Sequence, residues 1–153
     1  MIRRFLAPLP LPPAARWFPF VSRVFLGVVF LSHGDGKLED PAAWAHRLVE
    51  NRGVPAPFAW ASAFVESLGG VLLLAGAATR IAAGLLVCQM IGAIALVHWP
   101  NGLFGEGGYE YNLGLIVLAA GLVAFGAGPL SVDGAVARTI QPRMEPPTRK
   151  ETR

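Results

Sequence analysis

Cysteine, lysine and charge are all scarce in this chain. The one cysteine is Cys88, and there is no CxxC pair. An intramolecular disulfide, a self-contained dithiol centre and a cysteine-rich zinc or iron–sulfur site are thereby excluded. Cys88 itself is expected to be a small packing residue. Lysine occurs only at Lys37 and Lys150, so most of the positive charge is arginine. Charged residues make up 15% of the 153, against about 25% for a typical soluble domain. Hydrophobic residues make up 54%, and the mean hydropathy is +0.50. Missing charge and long apolar runs indicate an integral membrane protein with one domain. The net charge of +3 and the pI of 9.6 do not suggest nucleic acid. The basic residues sit mostly at the chain ends, where membrane topology uses them.

The stretch that organises the rest is Phe58 to Ala77, FAWASAFVESLGGVLLLAGA, apolar except for Ser62, Glu66 and Ser67. Twenty helical residues at about 1.5 Å each span roughly 30 Å, the hydrocarbon thickness of a bilayer. A carboxylate near the centre of such a segment costs on the order of 3 kcal/mol on insertion scales. Glu66 is therefore expected to face protein or a wet cavity and to have a partner. Ala59, Ser62, Ala63, Gly69, Gly70 and Ala77 share its side, a surface on which other helices can come close.

The expected fold is an all-α membrane protein, a four-span up-down bundle with a short interfacial helix in loop one. The spans are placed at about 17–34, 58–78, 81–99 and 109–126. Residues 1–16 read as a Pro-rich cytoplasmic segment. Pro8, Pro10, Pro12 and Pro13 interrupt what would otherwise resemble a signal peptide. In loop one, Asp40 before Pro41 is an N-cap with proline at the first helical position, and Gly53 is a stop. The helix between them places Trp44 and Leu48 on one face, as for a helix lying at the interface. Gly114, Gly121 and Gly128 recur every seven residues and predict a groove for a neighbouring helix. Residues 17–135 form the membrane domain, and 136–153 a basic tail expected to be disordered. Arg3, Arg4, Arg16, Arg80, Arg138, Arg143, Arg149, Lys150 and Arg153 lie on one side, against Lys37, Arg47 and Arg52 on the other. That imbalance puts both termini in the cytoplasm.

Up-down order then places the polar residues by depth. His33 and Lys37 come at the outer end of the first span, His98 at that of the third, and Glu110 and Asn112 at that of the fourth. Glu66 lies about 12 Å inward by helical rise, the floor of a polar funnel open to the outer face. Arg23 lies about 5 Å from it along the axis, a gap its side chain could bridge. Each has a plainer reading. Arg23 and Glu66 could be a structural ion pair. His33 and His98 could be interfacial histidines bonded to carbonyls. Glu110 could be a first-turn carboxylate facing the helix dipole, and Lys37 a snorkelling loop charge. The GEGG of residues 105–108 is neither a P-loop nor a dinucleotide fingerprint.

Several short motifs resemble the DoxX family. Arg23-Val-Phe-Leu-Gly27 with His33-Gly34 and Lys37-Leu38 resembles its first-helix signature. Glu66-Ser-Leu-Gly69-Gly70 with Leu73-Leu74-Ala-Gly76 and Thr79-Arg80 resembles its second. His98, Gly102 and Phe104, then Gly108-Tyr109-Glu110-Tyr111, are similar to its third loop and fourth-helix start. Gly126-Ala-Gly128-Pro129-Leu130-Ser131-Val132-Asp133 is similar to its closing motif. The resemblance covers about residues 17 to 135. It implies a four-helix bacterial inner-membrane protein in a superfamily that includes the small subunit of thiosulfate:quinone oxidoreductase. It also implies a link to redox and to thiol or quinone stress.

The leading expectation is a membrane subunit of an oxidoreductase system that handles a quinone or another lipophilic redox molecule. Glu66, Arg23 and His33 form the expected proton-transfer group; Lys37, His98, Glu110 and Asn112 line the expected funnel. Arg23 would keep Glu66 charged or stabilise developing negative charge. No metal site or intrinsic cofactor is expected, so electrons must come from a redox partner protein or a soluble reductant. A homo-oligomer in the lipid bilayer is compatible with this. Two other classes stay open: a small proton-coupled transporter, similar to exporters built on one membrane carboxylate, and a non-catalytic membrane scaffold for a redox partner.

Overall fold

The computed structural model describes residues 11–13 and 15–140. Among these the chain is mostly helical, with connecting turns and no strand. Six α-helices follow one another: α1 Phe18–Leu38, α2 Pro41–Arg52, α3 Ala56–Ala75, α4 Thr79–Ala93, α5 Glu110–Phe125 and α6 Val132–Thr139. α4 continues through one π-helical turn, Ile94–His98, and a 3₁₀ turn, Trp99–Asn101. The expectations for residues 1–10, 14 and 141–153 lie outside the described residues.

α1, α3, α4 and α5 pack around a common core of Leu26, Phe30, Leu73, Ala82, Leu86, Met90, Leu115 and Leu122, among others. Successive members of this group run antiparallel. The crossing of α1 and α3 is set by small residues. A Cβ on Gly27 would lie 3.1 Å from the Gly70 carbonyl, and one on Gly70 would lie 3.0 Å from the Gly27 carbonyl. Gly70, chosen from the small face around Glu66, is thus a point of backbone contact.

The outward faces are as apolar as the core. Val21, Phe25 and Val28 on α1, Phe64, Leu68 and Val71 on α3, Ile81, Leu85 and Ile91 on α4, and Val117 on α5 are all about half exposed or more. α3 and the rod Thr79–Asn101 are each long and apolar enough to cross a bilayer. Only 44% and 28% of their most apolar stretches are buried within the protein. A core helix of a soluble protein would bury most of such a stretch. Cys88 belongs to this outer surface: it is exposed, not a packing residue as expected.

Three element ends differ from the sequence reading. α1 does not stop at Gly34 but runs one turn further, to Leu38. Gly34 is there because α3 passes against it; a Cβ would collide with Ser67. α3 stops at Ala75, because Gly76 takes a left-handed conformation (φ 63°) where a side chain would meet Ser131 and the Arg23 guanidinium. Residues 136–139, expected to begin a disordered tail, complete α6, which Ser131 caps by accepting from Gly134 N. The glycine groove expected on α5 meets a neighbour over part of its length: a Cβ on Gly121 would lie 3.8 Å from the Phe18 ring of α1, and Gly128, beyond the end of α5, packs on Pro19 and Phe20, whereas one on Gly114 would meet nothing within 4 Å.

Candidate functional site

The buried polar groups fall into two clusters at opposite ends of the four long helices. The first is built on Arg23, near the start of α1 and only 1% exposed. Its guanidinium donates to five carbonyls. Nε bonds Ala127 at 3.0 Å, Nη1 bonds Leu73 at 3.1 Å and Leu74 at 2.6 Å, and Nη2 bonds Pro129 and Leu130. The Leu73 and Leu74 carbonyls belong to the last turn of α3, where orphan acceptors and the helix dipole favour a cation. The others belong to the turn between α5 and α6. Asp133 completes the cluster: its carboxylate accepts from Ala78 N at 2.8 Å and Thr79 N at 2.9 Å, capping the start of α4 from some 54 residues away. Arg23 and Asp133 therefore tie the α3–α4 turn to the segment that follows α5. The expected Arg23–Glu66 pair does not form. Helical rise put the two at similar depth, but the guanidinium points back toward the end of α3, where a set of carbonyls saturates it.

The second cluster surrounds a cavity of about 290 Å³ at the other end. Its floor is Glu66, 4% exposed. The partner of Glu66 is Lys37, whose Nζ lies 2.5 Å from Oε2. Lys37 reaches it because α1 continues past Gly34, so that the last turn carries the lysine over α3. Gln89 on α4 donates to Oε1 of Glu66 at a long 3.4 Å. Asn112 on α5 is buried beside it, and its amide donates to the Met90 sulfur at 3.4 Å. Sulfur is a weak acceptor, so this amide keeps most of its bonding capacity for a stronger group.

α2 roofs the cavity. Ala45 packs with Val54 and Ala59 to seat it on α3. Trp44 and Leu48, the face expected to lie on the membrane surface, turn inward and line the cavity. The Trp44 indole donates to Ser62 Oγ at 2.9 Å, and the Lys37 ammonium lies 4.7 Å from its ring centroid. Lys37 thus bridges floor and roof, as an ion partner to Glu66 and a cation over Trp44. Phe30, Phe58 and Tyr111 supply more aromatic wall.

Of the residues anticipated for this site, Glu66, Lys37, His33, His98 and Asn112 line the one cavity. His33 is at the rim with Tyr111, their rings 6.2 Å apart. Nδ1 of His98 bonds the Gly107 carbonyl at 3.0 Å, as its plainer reading held, while the ring still borders the cavity. Glu110 is not in the cavity. It is exposed in the first turn of α5, where a carboxylate complements the helix dipole. Trp44, Ser62 and Phe58 are lining residues that the sequence reading left out. A tryptophan sharing a face with Leu48 on a short capped helix was the available signal, and it was assigned to the membrane interface.

Comparison with known proteins adds a family. The DoxX family model matches residues 18–99, more than half of the chain. A Bacillus subtilis (strain 168) protein provisionally named oxidoreductase CatD is 33% identical over 91 residues, covering 60% of this chain and 67% of that protein. An uncharacterised membrane protein, Rv3486, of Mycobacterium tuberculosis (strain ATCC 25618 / H37Rv) is 38% identical over 93 residues, 57% of each. The chain thus spans little more than half of the mycobacterial relative. No solved structure matches it.

Proposed function

The chain belongs to the DoxX family of membrane proteins, and from that premise we propose that it crosses the bacterial inner membrane four times, with both termini cytoplasmic, and binds a small lipophilic redox molecule over Glu66. A quinone head group is the leading candidate. The observation that carries this reading is the Lys37–Glu66 pair on the floor of a cavity walled by aromatic rings. Pockets for small molecules combine an apolar wall with a few convergent polar groups in this way. The oxidoreductase name of the Bacillus relative points in the same direction.

The donor set fits such a ligand. A bound quinone would supply a two-electron, two-proton couple. Lys37 spends one N–H on Glu66 and has two more to direct at a ring oxygen. The amides of Gln89 and Asn112 can orient a flat molecule with oxygens on its edge. Glu66 is placed to exchange a proton with Lys37, and His33 at the rim to exchange one with the outside. α2, pinned by Trp44, covers the pair, leaving the Lys37 side chain 15% exposed. Electrons arrive from a partner protein or a soluble reductant. The cation-exporter reading loses weight, because the Lys37 ammonium already occupies the carboxylate.

The test is binding of a single-ring quinone to purified protein in detergent, wild type beside Glu66→Gln, with Tm recorded for both. Saturable binding in the wild type should weaken about tenfold or more in a variant that still melts cooperatively, in line with the loss of a charge-assisted hydrogen bond. Equal affinity in the two proteins would overturn the assignment of Glu66.

A further inference from the structure

The end of the molecule held by Arg23 carries a surface that the cavity does not use. α6 is amphipathic in an unusual way. Asp133 and Ala137 face the protein. Val132, Val136 and Ile140, spaced by four, are 47%, 39% and 49% exposed. Arg138 lies about 200° around the helix from Val136 at 100° per residue, on the far side of that stripe. Just before α6, Leu130 is 72% exposed with φ 52°, a conformation costly for a residue with a Cβ. The Leu130 and Pro129 carbonyls are both held by the Arg23 guanidinium, so this strained turn is clamped rather than loose.

Other exposed groups adjoin it. Gly128 packs on Pro19 and lies near the Arg16 carbonyl, which brings Arg16, Trp17 and Phe18 to the same end. All three are exposed, and the Arg16 guanidinium lies 5.9 Å from the Trp17 ring. Charge at this end has one sign. In residues 15–23, 74–82 and 123–140 the only acid is Asp133, which is buried and spent on the α4 cap. The opposite end carries Asp35, Glu39, Asp40, Glu50, Glu106 and Glu110. In sequence, α6 leads on to four basic residues, Arg143, Arg149, Lys150 and Arg153, against two acids, Glu145 and Glu151.

We infer that α6, with Leu130, Arg16 and Trp17, is a docking surface for anionic phospholipid headgroups at the membrane face on the Arg23 end. The Val132–Val136–Ile140 stripe enters the acyl boundary, and Arg16 and Arg138 meet the phosphates. An apolar stripe next to the protein-facing side, with a cation across from it, is the arrangement of a helix lying in the interface plane. Cations near an anionic leaflet add to its binding. This inference rests on the chain being embedded in a bilayer and is independent of what the cavity binds.

The test uses the full chain in lipid nanodiscs, in a Cys88→Ser background with an environment-sensitive fluorophore on a new cysteine. Val136→Cys is the reporter, Ile140→Cys a second reporter should the first variant fold poorly, and Ala135→Cys a water-facing control. Leu68→Cys on the outer face of α3 reports membrane embedding alone. The reporters should emit to the blue of Ala135→Cys and be quenched by brominated lipid. Both effects should grow when phosphatidylglycerol is added to phosphatidylcholine, and the growth should be lost with Arg16→Glu and Arg138→Glu. Water-like emission at positions 136 and 140, with Leu68→Cys quenched, would overturn the inference and leave the stripe to a protein partner. An equal shift with and without phosphatidylglycerol would overturn it too, leaving an apolar anchor without headgroup preference. Absence of quenching at Leu68→Cys would instead contradict the membrane reading itself.

Discussion

At the residue scale, the buried Arg23 and Glu66 separate by what surrounds them. Glu66 was legible because a lone carboxylate in a twenty-residue apolar run must have a partner. That partner was not legible. Axial rise placed Arg23 nearby, but rise says nothing of azimuth, and the carbonyls that claim Arg23 come from the last turn of α3 and from residues 127–130, far along the chain. Lys37, expected in the funnel lining or, on its plainer reading, as a loop charge, holds the carboxylate instead. The two members of that pair are not equivalent. Lys37 is at a helix end and 15% exposed, so it can turn toward water if freed; Glu66 is in mid-helix and cannot. Lys37→Met should therefore destabilise the protein by about 3 kcal/mol and Glu66→Gln by about 1 kcal/mol. The double variant should cost less than the two together, as a double-mutant cycle of reversible unfolding in mixed micelles will show. Arg23→Lys keeps the charge but loses the planar fork. It should cost about 3 kcal/mol or more by the same measurement while leaving quinone affinity per folded molecule unchanged.

At the element scale, what matters is where helices end. The caps of α2 were readable from Asp40, Pro41 and Gly53, because capping is local chemistry. The end of α1 was not, because Gly34 looks like a stop and is in fact a contact point with Ser67. The cap of α4 was not readable either, since Asp133 supplies it across the fold. The extra turn of α1 is the element on which the site depends. Gly34→Leu should force α1 away from α3, at a cost of about 2 kcal/mol typical of overpacking. It should also part Lys37 from Glu66. Lower Tm together with lost quinone binding is the expected result, and a variant that binds normally would show that the turn does not position the lysine.

At the scale of the whole molecule, the fold separates a tied end from an end that holds a cavity. One end is tied by Arg23 and Asp133, which join three chain segments through backbone groups. The other end holds a cavity whose wall draws on every helix from α1 to α5. The apolar periodicity and the glycine contacts made the helices themselves readable. The closing of α2 over the cavity was not, because an amphipathic helix over a cavity and one on a bilayer share one pattern. A second depression, an open groove of about 830 Å³, runs along the outside of α1 and α5 past Phe25, Gly114 and Val117, and meets the cavity at Tyr111 and Leu115. The decisive question is which of the two a ligand occupies. A photoactivatable single-ring quinone, cross-linked to the protein in nanodiscs and mapped by peptide mass spectrometry, answers it directly. Adducts are expected on Trp44, Phe58 and Met90, suppressed by excess unlabelled quinone and reduced in Glu66→Gln. Adducts confined to Phe25 and Val117, indifferent to Glu66, would contradict binding in the cavity.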